Sequence, residues 1–249
     1  MEIQHFLIIA GAGLIAGFIN TIAGGGSLLT LPALIFLGLP PSIANGTNRL
    51  AILFGTLSAT SGFRSKGISV FPYSIWLSIS SIIGAIIGAK IAIDIKGELF
   101  NRILAVVMVL VVLNMIFRPF GKKGSLEENL SKKKQWYGVI AFFFVGIYGG
   151  FIQAGVGFII LAILTSINGL SLVKSNSIKV FVVFIYTFSA FVVFLLESKV
   201  NWQLGLTMAA GQTIGAWTAS RLSVKSGDKW IRPVLIVTVV ALSIKLWFF

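Results

Sequence analysis

Ten apolar segments follow one another along this chain, and they limit its possible folds more than any other feature. They cover about residues 6–23, 27–38, 44–63, 71–93, 99–117, 136–154, 157–168, 175–195, 202–220 and 231–248. A helix needs roughly 20 apolar residues to cross a bilayer, and most of these segments approach that length. Only 11% of the residues are charged, against about 25% in soluble domains. The sequence therefore predicts an all-α polytopic membrane protein.

The second half of the chain repeats the first. A displacement of 131 residues places glycines, asparagines and small polar residues on identical residues. The matched pairs include Gly24 and Gly155, Gly26 and Gly157, Asn45 and Asn176, Thr56 and Thr187, and Gly84 and Gly215. Chance matching of apolar residues would not favour such pairs, so we interpret them as an internal duplication. We expect an N-terminal transmembrane repeat over 1–118, a basic cytoplasmic linker over 119–135 and a C-terminal transmembrane repeat over 136–249.

The loop charges predict the orientation of the segments. Lysine and arginine collect in short loops, as the positive-inside rule requires, and this accounts for the net charge of +13. The linker and the loop 221–232 share one side only if each half crosses the membrane an odd number of times. Segments 6–38 and 136–168 are then Gly-broken re-entrant helix pairs, each followed by three transmembrane helices, which gives inverted-topology repeats with both termini outside. Four full spans per half, with parallel repeats, is the competing count.

Glycine-rich stretches interrupt the apolar segments at corresponding places in the two halves. The first is AGGGS, from Ala23 to Ser27, and the second is QAGVG, from Gln153 to Gly157. Glycine is unfavourable inside a helix, and paired helix breaks near the bilayer midplane are typical of transporter binding sites. A half-helix restarting at Ser27 or Phe158 would point its N–H groups and positive dipole end at an anion. The alternative is that these glycines only allow close helix packing.

Two cationic residues lie within the apolar segments. Arg49 belongs to NGTNRLA (45–51) and Lys179 to the counterpart NSIKVFV (176–182). A charged side chain at such depth is costly and indicates a functional site. Every carboxylate falls at a segment end or in a loop, so we expect an anionic substrate to supply the missing negative charge. The alternative is that both long side chains extend to the headgroup region.

Other functional classes find little support in the sequence. The chain has no cysteine, which excludes disulfides and thiolate metal sites. No nucleophile–base pair, phosphate-binding loop or metal-ligand motif is present, so we expect no enzyme, no cofactor, no metal and no nucleic-acid partner. The first apolar segment lacks the flanks of a secretory signal, and we expect it to belong to the mature fold. GAIIG (84–88) and GQTIG (211–215) predict helix contacts.

The two glycine-rich motifs and the segments that follow them resemble a known family. GFINTIAGGGSLLTLPAL followed by GLPPSIANGTNRLA, and GIYGGFIQAGVGFIILAIL followed by SNSIKV, are similar to the sulfite exporter TauE/SafE family, also called TSUP. The resemblance covers about 10–118 and 138–245. It implies a bacterial inner-membrane transporter of sulfur-containing anions, with family motifs at Gly24–Ser27, Gln153–Gly157 and Asn45–Arg49. The second half departs from the first, because Lys179-Val180 replaces Asn48-Arg49.

These observations together predict a multi-pass transporter of small sulfur-containing anions (sulfite, thiosulfate or organosulfonates) that works by alternating access. Its partners would be the anion and the lipid bilayer, and a homo-oligomer is compatible with the sequence. A channel-like anion pathway and a non-transporting membrane scaffold or insertion factor are the alternatives. The predicted substrate-binding residues are Asn20, Thr21, Gly24, Gly25, Gly26, Ser27, Asn45, Asn48, Arg49, Gln153, Gly155, Gly157, Asn176 and Lys179.

Overall fold

The described part of the chain is helical. The computed structural model describes residues 3–68, 71–117 and 128–223. Its helices are α1 (Ile3–Ile22), α2 (Ser27–Phe36), α3 (Pro41–Arg64), α4 (Tyr73–Asp94), α5 (Gly97–Phe117), α6 (Lys132–Phe151), α7 (Val156–Asn168), α8 (Leu172–Leu196) and α9 (Trp202–Leu222). These helices match the first nine predicted segments, and the tenth, at 231–248, lies outside the described residues.

Helix α6 begins inside the interval 119–135 that the sequence predicts as a linker. Helix α6 already begins at Lys132, because the run of lysines and glutamine after Ser131 consists of good helix formers. The four residues 132–135 are therefore helical, and residues 118–127 lie outside the described part of the chain.

The helices of the first half have counterparts later in the chain. Helices α6, α7, α8 and α9 begin within two residues of the positions that a 131-residue displacement of α1, α2, α3 and α4 gives. The packing recurs as well, because α1 packs on α9 as α6 packs on α4, and α3 packs on α9 as α8 packs on α4. Corresponding helices thus have corresponding neighbours.

The contacts also give the relative directions of the helices. Helices α1 and α3 both run parallel to α9, because residues later in α1 or α3 contact residues later in α9. Between α1 and α9, Gly13 contacts Met208 and Gly17 contacts Gln212. Between α3 and α9, Leu50 contacts Gly205 and Gly62 contacts Ser220. Helix α8 runs against α3, since Gly46 lies on Phe194 whereas Ala59 and Val180 share a cluster near the opposite end of α3.

Glycines allow the closest of these helix contacts. A methyl group at Gly84 would lie 2.7 Å from the Ile147 backbone nitrogen of α6, and one at Gly215 would lie 2.9 Å from the Leu14 carbonyl carbon of α1. Both distances are far below van der Waals contact. The helix contacts predicted from GAIIG and GQTIG are therefore confirmed.

Polar and apolar side chains are distributed as expected for a protein in a bilayer. Large apolar side chains face outward, among them Phe144 at 62% exposure, whereas serines and threonines such as Ser81 and Thr187 are buried. Helices α4 and α8 are long and apolar enough to cross a membrane by length and composition. So large an apolar surface would be unfavourable in water, and lipid is its natural surrounding.

Candidate functional site

The two glycine-rich breaks meet inside the helix bundle. The first lies between Ile22 and Ser27, and the second between Phe151 and Val156. The Gly157 N–H donates a hydrogen bond of 3.2 Å to the Gly24 carbonyl oxygen. A methyl group at Gly157 would lie 2.7 Å from that same oxygen, so the backbones approach this closely only without a side chain.

The half-helices begin almost where the sequence predicts. Helix α2 begins at Ser27, as predicted. Helix α7 begins at Val156, two residues before the predicted Phe158. The reason is that Gly155 turns the chain with a left-handed φ of +71°, and Val156 N–H already bonds back to the Gln153 carbonyl. Gly24 adopts the same left-handed region at φ +85°, which favours glycine.

The chain turns back after the first break. A methyl group at Gly26 would lie 2.7 Å from Cβ of Asn20 and 2.9 Å from the carbonyl carbon of Ala16. Ala16 lies well inside α1, so the start of α2 lies beside the last turns of α1 instead of continuing beyond them.

Side chains join the two breaks to each other and to α8. The Ser27 hydroxyl donates to the Gln153 carbonyl oxygen at 2.9 Å. The Gln153 side-chain amide in turn donates to the Thr187 hydroxyl at 2.9 Å. Ser27 and Gln153 are both 2% exposed, so this network lies in the interior of the bundle.

Arg49 lies entirely in the interior of the described helix bundle. It is 0% exposed. Its Nη1 donates to the Gly149 carbonyl and to Oε1 of Gln153, both at 3.0 Å, and its Nη2 donates to the Gly150 carbonyl. Asn45, one helical turn earlier, donates from Nδ2 to the Phe151 carbonyl at 2.7 Å.

Lys179 is buried in a corresponding position in the second half, at 2% exposure. Its ammonium group donates to the carbonyl oxygens of Asn20 and Thr21, both at 2.9 Å. It also donates to Oδ1 of Asn176 at 2.6 Å. These named partners of the two buried cations are neutral oxygens, so they bring no formal negative charge into the site.

A small polar cavity lies between the breaks. Its lining combines hydroxyl, amide and ammonium groups with valine side chains: Asn20, Ser27, Thr56, Gln153, Val156, Gly157, Lys179, Val180 and Val183. It offers about 10 Å³ to the centre of a water molecule, which is the space that one water needs. Among the described residues, neither an aspartate nor a glutamate lines this cavity.

Five predicted site residues line this cavity, namely Asn20, Ser27, Gln153, Gly157 and Lys179. Nine others lie around it without lining it: Thr21, Gly24, Gly25, Gly26, Asn45, Asn48, Arg49, Gly155 and Asn176. Some have another contact, since the Thr21 hydroxyl donates to the Gly17 carbonyl at 2.9 Å. The Asn48 amide is buried with no hydrogen-bond partner among the described residues.

Thr56 is the polar lining residue that the sequence-based prediction leaves out. It lies on α3, two turns after Arg49. Its identity with Thr187 across the 131-residue displacement is the signal that could have identified it, because Thr187 holds the Gln153 side chain in the same region.

Comparison with known proteins decides the family. A sequence model of the family described as "Sulfite exporter TauE/SafE" matches residues 9–246. The chain belongs to this family. Curated relatives match this chain over most of its length. A "Probable membrane transporter protein ORF9" from Sinorhizobium sp. is 32% identical, over 94% of this chain and 89% of the relative.

Two further relatives have similar names. A "Probable membrane transporter protein" from Haemophilus influenzae is 30% identical, over 94% of this chain and 91% of the relative. "Probable membrane transporter protein YfcA" from Escherichia coli K12 is 32% identical, over 94% and 86%. No solved structure matches this chain.

Proposed function

We propose that the protein transports small sulfur-containing anions (sulfite, thiosulfate or organosulfonates) by alternating access, and that the anion binds in the cavity between the two helix breaks. The observation that carries the proposal is the composition of this cavity. Lys179, Ser27, Asn20 and Gln153 line it together, and no carboxylate of the described part of the chain does. Oxyanions bind through such N–H and O–H donors near a positive charge.

The ends of the half-helices add to this preference for anions. Helices α2 and α7 begin at Ser27 and Val156, two residues that line the cavity. The N-terminal end of a helix dipole is positive, and this partial charge remains although the N–H groups of Val156 and Gly157 already bond to the carbonyls of Gln153 and Gly24. Two such ends directed at one cavity favour a negative ligand there.

Inverted-topology repeats fit the helix directions. Helix α1 runs parallel to α3, and the counterpart α8 runs against α3. Since α1 and α3 share a direction, α2 between them runs back, and the first helix pair is re-entrant. With the basic loops in the cytoplasm, each half makes one re-entrant pair and three crossings, in opposite orientations.

Alternating access suits this site better than a channel. The cavity has room for about one water molecule, whereas sulfite has four heavy atoms. The breaks must therefore separate to admit the anion, which a carrier does once in each cycle. A bacterial inner membrane is the location that we propose, with the bilayer around the apolar outer surface.

A ligand screen by thermal shift tests the proposal. A ligand that binds only the folded state raises its apparent stability. Sulfite, thiosulfate and sulfoacetate are added to the purified protein in detergent, with chloride as the reference. We expect one of the sulfur anions to raise the midpoint of unfolding and Lys179→Gln to abolish that shift. Lys174→Gln is the matched control, because Lys174 lies on the same helix in an exposed ion pair with Glu128. An absent shift, or an equal one in Lys179→Gln, would contradict the proposal.

A further inference from the structure

Each of the two buried cations contacts the C-terminal end of another helix. Arg49 bonds to the carbonyls of Gly149 and Gly150, which belong to the last turn of α6. Lys179 bonds to the carbonyls of Asn20 and Thr21, in the last turn of α1. The last four carbonyls of a helix have no partner within it, and this end of the dipole is negative. Each cation thus supplies the donors that a helix end lacks.

The arrangement is reciprocal between the two halves. Arg49 of α3 reaches α6, and Lys179 of α8 reaches α1, so each half provides the cation for the broken helix of the other. The accompanying asparagines take part in different ways. Asn45 donates to the carbonyl of Phe151, the last residue of α6, and Asn176 accepts from Lys179. Asn45 and Asn176 are identical across the 131-residue displacement, although arginine and lysine differ in type and register.

The hydrogen-bonding capacity of the cations limits what else they can bind. An ammonium group has three N–H donors, and Lys179 directs bonds at three protein oxygens. Arg49 does not line the cavity, and both of its terminal nitrogens contact α6 or Gln153. Its guanidinium also lies over the ring of Phe194, 4.9 Å from the centroid. Arg49 is therefore held against α6 and Gln153 by its terminal nitrogens, outside the lining of the cavity, although its Nε has no hydrogen-bond partner among the described residues.

We propose that Arg49 and Lys179 are positioning residues that cap the broken helices of the opposite half. By holding the C-terminal end of α6 in place, Arg49 determines the position of the turn in the second break. It thereby also determines the orientation of α7 toward the cavity. Lys179 does the same for α1 and α2, and also places its charge at the cavity wall. The consequence for transport rests on the proposed function, whereas the capping itself does not. Arg49 then influences transport through α6 and α7, without touching the anion.

Hydrogen exchange can test the reciprocal capping directly. Backbone exchange is measured by mass spectrometry on the full-length protein, without added anion, for the wild type, Arg49→Gln and Lys179→Gln. We expect Arg49→Gln to speed exchange in peptides around 149–156 by about tenfold or more, since a hydrogen bond to a charged group contributes about 1.5–3 kcal/mol. Peptides around 20–27 should change much less. Lys179→Gln should show the opposite pattern.

Matched controls separate this effect from general loss of charge. Arg102→Gln removes an exposed arginine that pairs with Glu98, and Lys174→Gln removes an exposed lysine on α8. Neither control should change exchange at a break. Capping is overturned if Arg49→Gln loosens residues 20–27 as much as 149–156, or if neither break changes.

Milder variants keep the test decisive if the neutral ones fail to fold. Arg49→Lys keeps the charge and should preserve most of the protection at 149–156. Asn45→Ala removes only the bond to the Phe151 carbonyl and should cause a smaller change at the same peptide. Equal exchange at 149–156 in Asn45→Ala and the wild type would also count against capping.

Transport kinetics distinguish the positioning role from direct binding. Arg49→Lys, which keeps most of the capping, should lower the maximal rate of anion uptake only slightly and leave KM within about threefold, because the residue does not contact the anion. Lys179→Gln should raise KM strongly. If Arg49→Lys raised KM as much, Arg49 would be a ligand. If no anion were transported by the wild type, the proposed function would fail, while the exchange experiment would still decide the capping.

Discussion

Gly24 and Gly157 form the closest backbone contact between the two breaks. The Gly157 N–H donates to the Gly24 carbonyl, and a methyl group at Gly157 would lie 2.7 Å from that oxygen. Backbone atoms cannot move aside as a flexible side chain can. This contact therefore depends on glycine at both positions, which explains why both halves carry a glycine-rich break.

Alanine at Gly157 should separate the two breaks. We expect Gly157→Ala to lower the free energy of unfolding by about 1–3 kcal/mol, as is typical of overpacking in a well-packed interior. Thermal unfolding in detergent measures the change. Gly11→Ala is the control, because no atom of the described residues lies within 4 Å of a methyl group there, and alanine favours a helix by about 1 kcal/mol over glycine. Equal stability of Gly157→Ala and the wild type would contradict the described contact.

For the two buried cations, the sequence predicts the residues themselves but not their hydrogen-bond partners. The sequence identified Arg49 and Lys179 because charged residues stand out within apolar segments. It assigned their missing negative charge to a substrate, since no carboxylate was available. The structure provides backbone carbonyls of α6 and α1 as partners. Every residue has a carbonyl, so only the three-dimensional arrangement reveals which ones become acceptors.

Helix pairs α4–α6 and α1–α9 depend on small residues for their close packing. Gly84 on α4 and Gly215 on α9 occupy positions that are 131 residues apart and each lies against the backbone of its neighbour, at Ile147 and Leu14 respectively. Close approach of helix backbones is what small residues provide in membranes. The two pairs thus use the same device.

Substitution at these two glycines should have similar effects. We expect Gly84→Ala and Gly215→Ala each to destabilise the protein by about 1–3 kcal/mol, because the nearest atoms are backbone and cannot yield. Thermal unfolding of both variants beside Gly11→Ala gives the comparison. A neutral result at one position, with a large loss at the other, would contradict equivalent packing of the two helix pairs.

Most helices could be predicted, and their ends less well. The apolar segments of the sequence predict the bounds of α1 to α9 within a few residues. The start of α6 at Lys132 was missed because a run of lysines suits a solvated loop and a helix equally. The start of α7 at Val156 was missed because it depends on the left-handed turn at Gly155.

The topology of the whole molecule can be tested with introduced cysteines, because the chain has none of its own. Ser65 follows the end of α3 and Glu197 follows the end of α8, and both are exposed. Inverted repeats with basic loops inside place Ser65 in the cytoplasm and Glu197 outside. In intact cells, a membrane-impermeant maleimide should label Glu197→Cys, and should label Ser65→Cys only after permeabilisation. The reverse pattern would contradict the orientation, and labelling of both in intact cells would contradict the number of crossings.

At the scale of the molecule, the repeat and the family could be inferred from the sequence, whereas the contacts between the halves could not. The 131-residue displacement predicts corresponding helices, and α1 to α4 have such counterparts. It does not predict that the two breaks meet at Gly24 and Gly157, or that each half caps the other. Both features depend on packing between residues more than 100 positions apart in the chain.

Uptake by reconstituted protein tests the central claim most directly. Liposomes containing the wild type, Lys179→Gln or Lys174→Gln are given radiolabelled sulfite or thiosulfate, and the accumulated label is measured. Our account predicts uptake by the wild type and Lys174→Gln, and a reduction of about tenfold or more in Lys179→Gln, which loses the positive charge at the cavity wall. Absence of uptake of any sulfur-containing anion, or normal uptake by folded Lys179→Gln, would contradict it.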